Sequence, residues 1–290
     1  METIGADLKV MQRLPLTQEH VQALQDIGKI VDYSAGQMIA EIGDPMDTFF
    51  YVLEGEVILV HPYTRERYLE ASLGAGQFMG EIAFLSGGSY SLPMRAEQPT
   101  KCIAVPRQAM LDLMAQVPEI SDIVLTVFAA RRRRQIESQD TSLNIVGRDN
   151  DRLVLKLIAF ASRNRIPYRV VAHGSEEAMA IWQGNACSIG ETLVVFGRDR
   201  VLRDPTPLKL AGLLGLDLNI DENEVFDTLI VGGGPAGVAA AVYAGAEGLK
   251  ALVVEDVAIG GQAGTSSRIE NYMGFPTGIS GADLCWRGEV

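Results

Sequence analysis

Between positions 49 and 60 the chain reads Phe-Phe-Tyr-Val-Leu-Glu-Gly-Glu-Val-Ile-Leu-Val, two apolar runs of strand character split at Glu54 and Gly55. Period-2 runs interrupted by a glycine turn predict tight antiparallel hairpins. Ahead of them, residues 16–26 have the pattern of a short helix capped by Thr17, and turns are signalled at Ser34-Ala-Gly36 and Gly43-Asp44-Pro45. Beyond the strands the period lengthens. Residues 106–114 and 118–134 read as helices, the second with Ile120, Ile123, Val124, Val127 and Phe128 on one face. That stripe either packs on the strands or pairs with a copy of itself as a homodimer. The basic run from Arg131 to Arg134 then reads as the solvated end of the helix, complementing its dipole.

From position 139 the pattern alternates between strand and helix. Strands are predicted at 143–146, 168–172 and 193–196 with a short partner at 200–202, and helices at 151–163, 176–183 and 208–214. A parallel βαβ unit is the natural arrangement of the first three elements. A further apolar strand at 229–231 runs directly into Gly232, Gly234 and Gly237, spaced as G-x-G-x-x-G. An alanine-rich stretch follows, closed by Gly248, and then Lys250-Ala-Leu-Val-Val-Glu255, a second strand ending in an acid. Glycines in this register let a pyrophosphate lie against the start of the helix, where unpaired N–H groups and the dipole favour negative charge. A side chain at Gly234 would block that approach, and a carboxylate about 20 residues on can accept a ribose hydroxyl. Dinucleotide binding is the expectation.

Composition narrows the classes. With 290 residues, 47% of them apolar, and no long uninterrupted apolar run, two or three domains and no membrane span are expected. The first residues lack a basic and apolar leader pattern, which points to a cytoplasmic protein. A net charge of −12 disfavours nucleic acid as a partner. Cys102, Cys187 and Cys285 are far apart and form no C-x-x-C, so neither a disulfide framework nor a metal site is expected.

Three stretches carry resemblances. Residues 73–85, Leu-Gly-Ala-Gly-Gln-Phe-Met-Gly-Glu-Ile-Ala-Phe-Leu, with Gly43, Gly55, Gly80 and Glu81, resemble the phosphate-binding cassette of cyclic-nucleotide-binding domains. The resemblance implies a jelly roll over 1–137, in which the backbone at Gly80 faces a cyclic phosphate and Glu81 a ribose hydroxyl. The arginine that pairs with phosphate in that family is replaced by Tyr90 or Ser91, and Arg95 comes too late on the next strand; Ser91 still offers a hydroxyl. The family's ligand is cyclic AMP or GMP; without that arginine the favoured alternative is a jelly roll kept as a docking or sensing surface.

Residues 139–219 resemble the thioredoxin or glutaredoxin fold without its chemistry: Arg148-Asp-Asn-Asp151 stands where C-x-x-C opens the first helix, and Thr192 precedes Leu193 where the family has a proline. A redox-silent adaptor is implied, the alternative being an unrelated small α/β domain.

The third stretch, Gly260-Gly-Gln262 through Glu270-Asn-Tyr-Met-Gly-Phe275, resembles the loop after the FAD fingerprint in bacterial-type thioredoxin reductases and related pyridine-nucleotide-disulfide oxidoreductases. It implies that 225–290 is part of a Rossmann-type FAD-binding domain. The pyrophosphate falls to Gly232, Gly234, Pro235, Ala236 and Gly237, the adenosine ribose to Glu255, and the flavin side to Gln262 and Asn271, with Gly261 of the same turn included. The fold class expected is therefore multidomain, α+β followed by α/β.

In the parent family electrons pass from NADPH through FAD to a disulfide on a thioredoxin-like partner. A second glycine fingerprint and the redox C-x-x-C are not found in these 290 residues, so no catalytic residue is assigned, and the chain is expected to be C-terminally truncated. A βαβ alone should leave apolar strand edges uncovered and the third segment poorly stable. The alternatives are a non-enzymatic ligand-sensing adaptor built on the first domain, or an inactive remnant.

Overall fold

The computed structural model describes residues 11–62, 64–197, 200–216, 220 and 223–289. They divide into two compact units. Among these residues, one unit holds those up to 158 together with 167–216; the other holds 159–166 with those from 220 onward.

The first unit opens with helix α1 (Gln18–Ile27), whose Thr17 side chain accepts from the His20 amide as an N-cap. Strands β1 (Lys29–Tyr33), β2 (Met38–Ala40), β3 (Thr48–Glu54), β4 (Glu56–Val60), β5 (Arg67–Gly74), β6 (Met94–Ala96) and β7 (Thr100–Pro106) form two sheets, ordered β1-β7-β3 and β2-β6-β4-β5, with every pairing antiparallel. This is the jelly-roll expectation met, with one correction. Glu54 and Gly55 do not close a hairpin: β3 pairs with β7, while β4 pairs with β5 and β6, so the chain passes here from one sheet to the other. The reason is local. Gly55 sits at φ +96°, where a Cβ would come within 2.6 Å of the Pro99 carbonyl, and Glu56 is bound on both sides, its amide to Thr100 Oγ1 and its carbonyl by the Glu97 amide. The 97–100 segment thus takes hydrogen bonds that a hairpin would have needed.

A short helix, α2 (Ala83–Ser86), follows the cassette, and helices α3 (Arg107–Gln116) and α4 (Pro118–Ser138) complete the domain. The apolar stripe of α4 packs on the barrel: Ile120, Val124, Val127 and Phe128 are fully buried. Phe128 joins Phe49, Phe78 and Phe84 in an aromatic cluster with centroid separations of 5.3 to 6.5 Å. Edge and tilted contacts at such distances add to the burial itself. Four of the five residues of the stripe are thereby used within the domain, and Ile123 remains partly exposed.

Strands β8 (Leu143–Gly147), β9 (Arg169–Ala172), β10 (Leu193–Phe196) and β11 (Arg200–Arg203) form a mixed sheet ordered β11-β10-β8-β9, β8 and β9 being parallel and the other pairs antiparallel. Helices α5 (Arg152–Arg163), α6 (Glu176–Gly184) and α7 (Pro207–Leu213) accompany it. Val146, Val171, Leu193 and Val195 close on Ala178 and Trp182 of α6 to make its core. The succession of elements is the one the periodicity predicts, including the parallel first pair.

In the second unit β12 (Thr228–Val231) and β13 (Ala251–Val254) pair in parallel around helix α8 (Pro235–Ala246), and helix α9 (Gly281–Gly288) ends it. A two-stranded sheet covers little of itself: Leu229, Val231 and Val254 are 61%, 83% and 49% exposed. The uncovered strands expected from the sequence are present. Among the described residues no helix is long and apolar enough to cross a membrane.

Candidate functional site

Two sites emerge, one in each unit. In the second, β12 ends in Gly232 at φ +100°, a conformation that side chains with a Cβ rarely adopt. The chain then turns so tightly that a Cβ on Gly237 would lie 1.9 Å from the Gly232 carbonyl oxygen. Gly234 is the N-cap of α8, and Pro235 occupies the first helical position, where its missing N–H costs nothing. A Cβ on Gly234 would meet no atom within 4 Å, so the helix start faces open space. The loop after β13 returns to this turn: the Gly260 amide donates to the Gly233 carbonyl at 2.6 Å, and Gly261 lies against Gly234.

Glu255 holds the arrangement together. Its carboxylate accepts from the Gly233 amide at 2.7 Å and the Val257 amide at 3.0 Å. Burial by itself would raise this carboxyl; the hydrogen bonds from the Gly233, Val257 and Ala258 amides and the Asp256 side chain outweigh it and hold the group below its ordinary value. A carboxyl depressed on folding supports the fold above its unfolded pKa, about 4.3 for glutamate, and that support is lost as pH falls through the lower folded value. The amide resonance of Gly233 is therefore expected to stay constant down to the ordinary glutamate range and to move only below it. Glu255→Gln should abolish the movement, whereas a titration at or above the ordinary range would contradict the assignment.

The structure thus gathers Gly232, Gly234, Pro235, Ala236, Gly237, Glu255 and Gly261 around one turn, and Gln262 follows as the N-cap of a short 3-10 turn. Asn271, assigned to the flavin side and not to this turn, is exposed.

The first unit holds a cavity of about 140 Å³ bounded by the cassette, β4, β5 and α4. Gly80, Glu81 and Ser91 line it, as do Tyr90, Arg131, Arg134 and Gln135. Gly80 is at φ +119°, and a Cβ there would press on the Phe128 ring at 2.8 Å. Glu81 is buried and bound by the Arg132 guanidinium, whose Nε donates to Oε2 at 2.7 Å while Nη2 donates to the same oxygen. Arg131 donates to the Gly80 carbonyl at 2.9 Å and stacks over Phe78. The basic run is consequently not a solvated helix end. The helix continues to Ser138, and the buried stripe of α4 continues at its own spacing from Val127 and Phe128 into Arg131, Arg132 and Gln135. That continuation was available in the sequence; reading four arginines as a block conceals it.

Tyr90 stands where the cassette arginine was expected. It is buried, and burial, reinforced by Asp47, raises its phenol, so the hydroxyl keeps its proton and can donate. Arg95 lies on β6 and lines no part of the cavity; it bonds the Arg65 carbonyl and Glu97. The rim is tied to the neighbouring sheet within the same unit. Ser142 Oγ donates to the Ser91 carbonyl, the Ser89 amide to the Leu214 carbonyl at 3.2 Å, and Arg200 to the Gly43 carbonyl at 3.2 Å.

Residues 30–117 match the cyclic nucleotide-binding domain family. The crystal structure of Thermus thermophilus catabolite activator protein aligns with 45% of this chain and 62% of that one, at 25% identity and a TM-score of 0.38. A different set of relatives matches over a partial region. The thioredoxin reductase of Ureaplasma parvum is 45% identical over 64 residues, 22% of this chain and 20% of that protein. The NADPH-dependent thioredoxin reductase 3 of Arabidopsis thaliana is 35% identical over 102 residues, 30% of this chain and 19% of that protein. The chain spans about a fifth of the length of these curated relatives. It therefore combines a domain of cyclic-nucleotide-binding type with a stretch similar to part of a thioredoxin reductase.

Proposed function

We propose that this chain carries part of a flavin-dependent disulfide reductase of thioredoxin-reductase type, preceded by a ligand-sensing regulatory domain. The observation that carries the reading is the turn at Gly232 to Gly237, where the start of α8 is uncovered and Glu255 fixes the adjoining backbone. Match lengths of about 60 residues suit a segment of this extent.

The residues present fit FAD: amides at the start of α8 for the diphosphate, Glu255 beside them for the ribose, and the Gly261–Gln262 turn close by. Bound there, FAD would supply the carrier that takes hydride from NADPH and delivers electrons to a disulfide. The chain's own contribution is to bind and orient the nucleotide. Burial pushes the Cys102 thiol up to about 11 and raises that of Cys285, which keeps both protonated at neutral pH.

The middle sheet is read as a thioredoxin-like adaptor without redox chemistry. At the start of α5, Asp151 accepts from the Leu153 amide at 2.8 Å and from Thr192 Oγ1 at 2.8 Å, which fills the position a reactive thiol would need. Its bonds to the cavity rim join the first domain to the middle sheet. A purely sensory, non-enzymatic role is the second reading, favoured by the cavity in the first domain. Titration with FAD, followed by its visible absorption and by fluorescence quenching, separates them. Stoichiometric uptake is expected; ligand binding by the first domain with no FAD uptake would select the sensor.

A further inference from the structure

We propose that the cavity of the first domain takes a small monoanion with an apolar body and one hydrogen-bond donor, of the size of a single-ring hydroxy-carboxylate, in place of a cyclic nucleotide. The inference rests on the ligand-sensing reading of that domain and specifies its ligand.

Charge is the first argument. Arg131 is held by two carbonyl oxygens, those of Gly80 at 2.9 Å and Gln12 at 3.4 Å, and among the described residues it makes no ion pair. Burial and the nearby Arg13 push its guanidinium down to about 10, which leaves it charged at neutral pH. Arg13 and Arg134 line the same cavity. The acids that face it are already engaged: Glu81 by Arg132, and Asp140 by the Ser138 hydroxyl at 2.6 Å and by Tyr68. In a chain of net charge −12 this is a local excess of positive charge, set where an anion can enter. A cation whose partners are only carbonyls gains most from an anion that shares its low-dielectric site.

Size and wall chemistry set the remainder of the ligand. The enclosed volume of about 140 Å³ is close to the roughly 150 Å³ of a cavity that accepts benzene, so a single ring fills it, whereas a purine nucleotide would have to extend out through the open side. Leu59, Leu69, Leu73 and Met94 supply apolar wall, suited to a ring or short chain. One oxygen of Glu81 takes two bonds from Arg132, so part of the acceptor that would meet a ribose hydroxyl is already used. One polar atom of the wall remains unanswered: Gln135 Oε1 is buried without a hydrogen-bond partner. Buried acceptors in folded proteins are paired, so this carbonyl marks where a hydroxyl of the ligand belongs.

The test is calorimetric titration of the full chain with 4-hydroxybenzoate, benzoate, cyclic AMP and cyclic GMP. 4-Hydroxybenzoate is expected to bind, benzoate about two- to tenfold more weakly, and the cyclic nucleotides not at the same concentrations. Arg131→Gln should weaken 4-hydroxybenzoate by about tenfold or more. Because that change also removes two bonds to carbonyls, Gln135→Leu serves as the second variant: it should erase the preference for the hydroxylated probe while leaving benzoate as it was. Equal affinity for 4-hydroxybenzoate in all three proteins would overturn the proposal. Cyclic nucleotide binding that depends on Arg131 would also overturn it, yet leave the ligand-sensing reading standing. Silence toward all four probes would overturn it as well, and FAD uptake would then decide the enzymatic reading by itself.

Discussion

Replacing Glu81 with Leu is expected to cost the first domain about 3–5 kcal/mol, because it strands the buried Arg132 guanidinium without its carboxylate. The side chains of the pair are only 10% and 7% exposed, so solvent cannot take over the lost interaction. On a domain of this size the loss corresponds to a fall in melting temperature of roughly 10 °C. Hydrogen exchange on β3, which carries Phe49 of the aromatic cluster, and on its partner strand β7 reports the first domain separately from the remainder of the chain. The double variant Glu81→Leu with Arg132→Met removes both charges and fills much of their volume, and should recover most of the loss. A cost below about 1 kcal/mol for the single change would mean that the pair behaves as an exposed one, and that the cassette is not fastened to α4 by it.

The same pair shows why part of the site was legible and part was not. Gly80 and Glu81 could be located from local spacing, since the cassette, with its glycine at φ +119° followed by an acid, leaves its mark within the consecutive residues 73–85. Their partners lie 51 positions downstream, on a helix whose inward face changes from Phe128 to Arg131 and Arg132 without changing its period. Binary patterning reports which face is apolar; it does not report that an inward face can turn cationic where the neighbouring element offers a carbonyl and a carboxylate. The same limit explains Glu54 and Gly55. A one-residue link between two strand-like runs looks like a hairpin from either side, and only the 97–100 segment, some 45 positions away, decides that the strands belong to different sheets. The βαβ readings fared better because the elements that pair are neighbours in sequence: β8 with β9 across α5, and β12 with β13 across α8. Asn271 went the other way. Its assignment to the flavin side came from a motif alone, and the residue is exposed.

In the second unit the largest effect is expected from a pair of glycine substitutions that separate folding from binding. Gly234→Val adds a side chain that begins in open space, with no atom within 4 Å of its Cβ, on a backbone at φ −70° that any residue adopts. The turn, the start of α8 and the Glu255 bonds should survive it, and thermal unfolding should change by less than about 0.5 kcal/mol, as for other exposed positions. Yet the branched side chain projects where a diphosphate has to approach the amides of the helix start, so FAD uptake should fall by at least tenfold. Gly237→Ala does the reverse to the scaffold. Its Cβ would fall 1.9 Å from the Gly232 carbonyl oxygen, a backbone atom that cannot move without opening the turn. Both strand pairing and FAD uptake should be lost together, seen as exchange of the β12 and β13 amides and as colourless protein. If Gly234→Val bound FAD like the parent chain, the nucleotide would have to lie away from the start of α8, and this turn would be a packing device between strand and helix.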